Sequence, residues 1–202
     1  MTAIAHQLTE RSFQEITLGA QVIERDSHGP KVYLFDNGDY LKVFRRKRLL
    51  SSALLTPYSV RFWKNAERLE KLGIPTVKPL KLFKLSKPGW TAVRYKALEG
   101  VTLKAIHEQF HHDERRLEQL SELFKTLHRK GVYFRSMHLG NIVLTPSGQL
   151  GLIDIADLTF QSRALSRNKA QRNLAHFERY LKYNGLRDSF PFEKLSQQVL
   201  TR

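Results

Sequence analysis

The sequence predicts an α+β chain, with an N-terminal antiparallel sheet and one helix followed by a compact, mainly helical half. Three observations predict it. Apolar runs with strand periodicity recur through the first half, namely QVIER, KVYLF, YLKVF, PLKLFKL and WTAVRY. In the second half Leu117, Leu120, Phe124 and Leu127 recur at the three- and four-residue spacing of a helix face. Between them and the C-terminus, HRKGVYFRSMHLGNIVLTPSGQLGLIDIADL reads as a helix end, a polar loop, strand IVLT, turn PSGQ and strand LGLI. That hairpin brings Asn141 and Asp154 together.

Taken in order, residues 1–20 show no pattern and are expected to be a loose tail or a first strand. QVIER and KVYLF flank DSHGP, where Gly29 is followed by Pro30, a residue without a backbone N–H. Asn37-Gly38 separates KVYLF from YLKVF and predicts a hairpin, because both residues tolerate positive φ. Lys42 lies in the second of these strands between Leu41 and Val43. A helix follows, with Thr56 as cap, Pro57 at its first position, Phe62, Trp63, Ala66 and Leu69 as apolar residues, and Gly73 with Pro75 as its end. SKPG turns PLKLFKL into WTAVRY, and ALEGVTLKAI follows with a bend at Glu99-Gly100. The stripe helix is capped by Asp113 and stopped by Gly131. Ser166 opens a further helix facing inward through Ala170, Leu174, Phe177 and Leu181 and ended by Asn184-Gly185; FEKLSQQVL makes a short last helix.

With 202 residues, the chain is long enough for one substantial core or two small lobes, and 41% hydrophobic content with 12 Phe argues against general disorder. The absence of cysteine excludes disulfides, thiolate metal sites and a cysteine nucleophile, and fits a reducing cytoplasm. The start MTAIAHQLTERSFQEI lacks the basic and apolar regions of a signal peptide, and no apolar run reaches the ~18 residues of a membrane span. A cytoplasmic location is therefore expected. The net charge of +15 predicts attraction to polyanions: nucleic acid, an acidic membrane face or a phosphorylated substrate. Its densest cluster is Lys42, Arg45, Arg46, Lys47 and Arg48. His107, His111 and His112 lack a convincing fourth ligand and read as surface histidines rather than a zinc site.

An amide and a carboxylate held side by side offer the oxygen ligands Mg²⁺ prefers. Protein kinases hold metal through the Asn of the catalytic loop and the Asp of D-F-G, with the catalytic Asp five residues before that Asn. Five residues before Asn141 stands Ser136. FRSMHLGNIVL thus resembles the H-G-D-x-H-x-G-N-I-L pattern of small-molecule and lipopolysaccharide kinases, with Phe134, Arg135 and Ser136 where that pattern has His, Gly and Asp. Together with LKVFRRKRLLSSALLTPYSVRFWKNAERLEKLGIPT, the chain is similar to the lipopolysaccharide core kinases (the Kdo/heptose kinase family), small toluene-tolerance-type members included, over residues 25–180.

That resemblance implies a protein-kinase-like fold, with a nucleotide-binding lobe 1–96, a lobe 97–202 carrying the catalytic hairpin and metal site, and ATP with Mg²⁺ between them. Asn141 and Asp154 would be the metal ligands. Lys42 corresponds to the V-A-I-K lysine that meets phosphates, the bland alternative being an outward-facing strand lysine. Gly29 stands where the phosphate-covering loop lies. Glu67 is nearest the helix carboxylate that pairs with the lysine; Asn65 is the alternative for that slot, and Glu67 would otherwise be an exposed carboxylate paired with Lys64 or Lys71. The acceptor would be a sugar hydroxyl of lipopolysaccharide core or a related envelope glycan. Arg45–Arg48 would form a docking patch for peripheral inner-membrane contact. The short C-terminal half has no room for the peptide-binding region of protein kinases.

Ser136 cannot take a proton at neutral pH as a carboxylate does, and loss of general-base help costs about 10²–10⁴-fold. His138, which titrates near neutrality, and Asp157 are the candidate replacements. Their bland readings are a structural histidine and a turn residue. Arg135 is placed to fix an acceptor phosphate. Three readings follow, in order of preference: an active sugar kinase with a modified base; a pseudokinase serving as a nucleotide- or partner-binding module; and a basic adaptor for nucleic acid or anionic lipid. The adaptor comes last because no nucleic-acid motif is present and the Asn141–Asp154 spacing would be accidental.

Overall fold

The computed structural model describes residues 4–45, 56–108 and 113–201. The chain divides into two compact units, Met1–Leu98 and Glu99–Arg202. Arg46, Lys47, Arg48, His111 and His112 lie outside the described residues.

The first unit contains β1 (Ala5–Gln7), α1 (Glu10–Thr17), β2 (Gln21–Asp26), β3 (Gly29–Leu34), β4 (Asp39–Arg45), α2 (Tyr58–Lys71), β5 (Lys78–Lys84) and β6 (Trp90–Lys96). Its six strands form one sheet in the order β1-β5-β6-β4-β3-β2. The expected all-antiparallel sheet is corrected at one edge, where β1 runs parallel to β5, pairing Ala5 with Leu82 and Gln7 with Lys84. Of the tail or first strand expected at residues 1–20, the strand is present as β1, and the helix that follows it is not part of that expectation. Thr9 caps it, its hydroxyl accepting from Ser12 N–H at 3.0 Å.

That helix has a physical purpose. Side chains alternate across a strand, so Leu41 and Val43 of β4 face one side while Tyr40, Lys42 and Phe44 face the other. The Leu41 and Val43 side joins Tyr33, Phe83, Leu85 and Ala92 in a buried cluster, and Leu8 and Phe13 pack against it. Phe13 meets the Tyr33 ring edge-on at 6.0 Å. On the other side α2 inserts Phe62 against Phe44 at 5.6 Å and Tyr95 at 5.3 Å. With a helix on each face, β4 is buried from Leu41 to Phe44. Burying each large apolar side chain of this kind contributes about 1.5–3 kcal/mol.

Two local expectations are refined. Gly38 takes φ +79° in the β3–β4 turn while Asn37 does not enter the left-handed region, so the turn needs one positive φ rather than two. Asn37 instead clasps Asp39, its Oδ1 accepting from Asp39 N–H at 3.1 Å. Pro57, not Thr56, holds the cap position of α2, without a side-chain hydrogen bond.

The second unit contains β7 (Val101–Thr102), α3 (Glu114–Arg129), β8 (Val132–Tyr133), β9 (Ile142–Leu144), β10 (Leu150–Leu152), β11 (Thr159–Phe160), α4 (Arg167–Tyr183) and α5 (Phe192–Leu200). Three helices therefore accompany a three-stranded sheet, β10-β9-β7, and a two-stranded one, β11-β8. Asp113 caps α3 by accepting from Arg116 N–H at 2.9 Å, and Ser166 caps α4. Leu117, Leu120, Phe124 and Leu127 are buried, and Phe124 meets Phe177 of α4 edge-on at 5.4 Å. Gly100 has φ +134°, and a Cβ there would sit 2.1 Å from the Leu144 carbonyl oxygen, so β7 reaches β9 only through glycine. Among the described residues no helix is long and apolar enough to cross a membrane.

Candidate functional site

Two hairpin-like closures assemble the site in the second unit. β9 and β10 pair Ile142 with Leu152, and Ile153 N–H donates to the Asn141 carbonyl at 3.0 Å. Asn141 and the strand-end Asp154 thus sit at the same end of one hairpin. β8 and β11 pair Tyr133 with Thr159, which brings the loop after β8 beside the segment after Asp154. The polar loop and the carboxylates meet because both pairings close at once.

Asp154 is exposed and adopts φ 51°, ψ 45°, the only left-handed non-glycine among the described residues. Such a backbone costs about 1–3 kcal/mol and is concentrated at functional turns. It turns the chain out of β10 into a 3₁₀ turn, Ile155–Asp157, which delivers Asp157 to the loop after β8. There Asp157 Oδ2 accepts from Ser136 N–H at 3.1 Å and from Ser136 Oγ–H at 2.6 Å. The second is in the range of short hydroxyl-to-carboxylate bonds. Asp157 Oδ1 is buried without a hydrogen-bond partner, and Arg135 Nε lies 3.9 Å from Oδ2. Of the two candidate replacements for the proton acceptor, Asp157 is the one bonded to Ser136.

Asn141 is buried, and its Nδ2 donates to the Ser136 carbonyl at 2.9 Å. This bond fixes the amide orientation: the nitrogen is committed to the loop, leaving Oδ1 as the group a hard cation would take. An amide oxygen beside an exposed carboxylate fits Mg²⁺ in donor chemistry.

His138 has a different surrounding. Its ring stacks on Tyr180 of α4, centroids 4.3 Å apart and planes within 6°. Burial lowers its pKa; Asp154 and Asp157 pull it up, and Lys104 pushes it down again. Gly140 fits closely here, since a Cβ would stand 3.3 Å from the imidazole. The loop is further tied to the helices by a buried pair. Asn173 Nδ2 donates to the Phe134 carbonyl at 2.7 Å, while Asn173 Oδ1 lies 3.0 Å from His128 Nε2. Desolvation holds the His128 pKa down against that bond. Sequence reasoning missed Tyr180, Asn173 and His128 as supports of the loop. Their one signal was position, since Asn173 interrupts the apolar face of α4 between Ala170 and Leu174.

The remaining expected residues belong to the first unit. Lys42 is 8% exposed in the centre of the sheet, paired with Val32 and Val93, its Nζ 5.9 Å above the Phe44 ring. The expected alternative of an outward-facing lysine is thereby corrected. Gly29 follows a tight turn whose ends, Asp26 and Gly29, pair directly. Its φ of +105° requires glycine, while a Cβ there would meet nothing within 4 Å. Asn65 is buried with Phe62 and Leu69 on the sheet-facing side of α2. Glu67 is half-buried, accepts from Trp63 Nε1 at 3.1 Å, and lines a cavity of about 510 Å³ with Trp63, Glu70 and Pro75. Arg45, expected in a docking patch, is internal to this unit. Its Nη2 donates to the Pro30 carbonyl at 2.6 Å, its Nη1 pairs with Asp26 at 2.5 Å, and the guanidinium stacks on Trp90 at 4.5 Å.

Compared with known protein families, residues 10–198 match the lipopolysaccharide kinase (Kdo/WaaP) family. Comparison with curated proteins found no match.

Proposed function

The chain belongs to the lipopolysaccharide kinase (Kdo/WaaP) family, and on that premise we propose that it transfers the γ-phosphoryl group of ATP to a sugar hydroxyl of lipopolysaccharide core or a related envelope glycan. The observation that carries this reading is the 2.6 Å bond from Ser136 Oγ to Asp157. It supplies a carboxylate at the position where a serine alone would leave the acceptor proton without a destination.

In this reading the acceptor hydroxyl lies against Ser136 Oγ. As its oxygen bonds to phosphorus and the bond to the ADP leaving group breaks, its proton moves to Ser136 Oγ, and the serine's own proton moves to Asp157 Oδ2. Asp157 ends protonated and Ser136 is unchanged. The Ser136 N–H bond to the same oxygen holds the two side chains in register. Phosphoryl transfer needs charge stabilisation and positioning more than proton removal, so a relay of this kind is sufficient. Asn141 and Asp154 would hold Mg²⁺, which when bound neutralises phosphate charge. Lys42 of the first unit is the cation proposed for the phosphates, and Gly29 and Glu67 remain the candidate neighbours of the nucleotide.

Transfer of labelled phosphate to purified core oligosaccharide tests the proposal. The wild-type protein should transfer, Asp157→Asn should fall by about 10²–10⁴-fold, and Ser136→Asp should sustain transfer in the Asp157→Asn background. Undiminished transfer by Asp157→Asn would refute the relay. Nucleotide binding with no transfer by any form would leave the pseudokinase reading in its place.

A further inference from the structure

We propose that Arg135, Arg172 and Arg179, gathered around His176 beside the Ser136–Asp157 pair, form a subsite for a phosphate monoester already carried by the acceptor. The proposal rests on the sugar-kinase reading above and names a chemical requirement that reading leaves open.

The cluster is built from two elements. Arg172 and Arg179 stand four residues before and three after His176 on α4, a spacing that puts all three on one helix face. Arg135 comes from the loop after β8, where Tyr133 sets its ring edge-on to His176 at 6.4 Å. The three guanidiniums and Asp157 are the charges that act on the imidazole. His176 Nε2 is buried and makes no hydrogen bond. Burial, then the Arg179, Arg135 and Arg172 guanidiniums, hold the His176 pKa below its ordinary value, and Asp157 opposes them.

Asp157 already accepts two hydrogen bonds from Ser136 and lies 3.9 Å from Arg135 Nε. Among the described residues Arg172 and Arg179 have no acidic partner. Three guanidiniums against one carboxylate leave two positive charges, the complement of a phosphate monoester dianion, whose oxygens guanidinium forks bind bidentately. A carboxylate ligand would carry half that charge. A polynucleotide would need a track of cations spaced along its backbone rather than one cluster with a carboxylate at its edge. Because Arg135 is next to Ser136 in sequence, a phosphate held here would fix the acceptor with its reacting hydroxyl on the serine side.

The test uses the full chain, titrated with inorganic phosphate and with a sugar monophosphate while the His176 ring is followed by NMR. Saturable binding that raises the His176 pKa is expected. Arg172→Ala with Arg179→Ala should weaken it by about tenfold or more, the loss of charge-assisted contacts. Arg135→Gln, at an exposed loop position, should weaken it in the same direction and serves if the double variant folds poorly. In the transfer assay these variants should lose the preference for phosphorylated over dephosphorylated acceptor. Phosphate that leaves His176 unmoved, or equal loss on both acceptors, would overturn the subsite. So would variants that lose binding to anionic vesicles while keeping phosphate affinity, since the cluster would then read a membrane surface. Failure of nucleotide binding would refute the kinase reading instead, and it leaves the phosphate titration independently readable.

Discussion

In the first unit, charged side chains close on one another: Arg45 on Asp26 and Trp90, Arg94 on Asp39 at 2.9 Å, Lys31 on Glu24 at 2.5 Å. Buried polar atoms without a hydrogen-bond partner occur in both units, Arg45 Nε and Nη1 and Ser59 Oγ in the first, but in the second three of them, Asp157 Oδ1, His138 Nδ1 and His176 Nε2, gather around the loop after β8. Leaving a buried polar atom unmatched costs about 1–3 kcal/mol, so folding alone does not favour that arrangement. The charges of the first unit pair across a sheet, whereas those around the loop after β8 are the ones proposed to meet a ligand or a proton. Net charge hides this distinction. Arg45 and Arg135 add equally to it, yet the Arg45 side chain is 7% exposed and committed, and that of Arg135 is 68% exposed.

The largest test of this contrast is Asp157→Asn. It should lower phosphoryl transfer by about 10²–10⁴-fold while leaving ATP affinity and melting temperature near wild type; a collapse of the fold would assign Asp157 to structure. Next comes Gly100→Ala, which adds a left-handed non-glycine and a clash with the Leu144 carbonyl. It should destabilise the second unit by about 2 kcal/mol or more, measured by chemical denaturation, and a neutral result would contradict the close β7–β9 approach.

Acid should separate the units. His128, His138 and His176 have folded pKa values below the ordinary 6.5. Their unfolded forms therefore bind more protons as pH falls, and stability present above 6.5 is lost from there down to the folded values. In the first unit the His28 N–H, with Arg45, holds Asp26 below 3.8. Its contribution is present above 3.8 and is lost only below it. Hydrogen exchange between pH 7 and 5 should show the second unit opening first, and His128→Asn should flatten its profile; simultaneous loss in both units would break the comparison. A last test is Arg45→Ala, which removes the bond to the Pro30 carbonyl, the pair with Asp26 and the stack on Trp90 and should cost about 1–3 kcal/mol of stability without weakening membrane or acceptor binding. Weakened vesicle binding would restore Arg45 to a docking role.

Much of this was legible because it is local. Asp113, Ser166, Gly131 and the hairpin from Asn141 to Asp154 announce themselves by residue type and spacing. The misses are tertiary. Ala5–Gln7 is three exposed residues whose strand exists only through β5, and α1 is set by one cap and the need to cover Leu41 and Val43. The bond between Ser136 and Asp157 spans 21 residues and depends on β8 meeting β11, two-residue strands with no periodicity to read. The convergence of Arg135 with Arg172 and Arg179 is invisible for the same reason.

Everything proposed for the nucleotide requires that Asn141 and Asp154 hold a metal for its phosphates. Calorimetric titration of ATP with and without Mg²⁺ tests it most directly. Saturation should depend on Mg²⁺, disappear in Asp154→Ala and persist in Ser136→Ala. Absence of binding at millimolar ATP, or affinity indifferent to both the metal and Asp154, would contradict it.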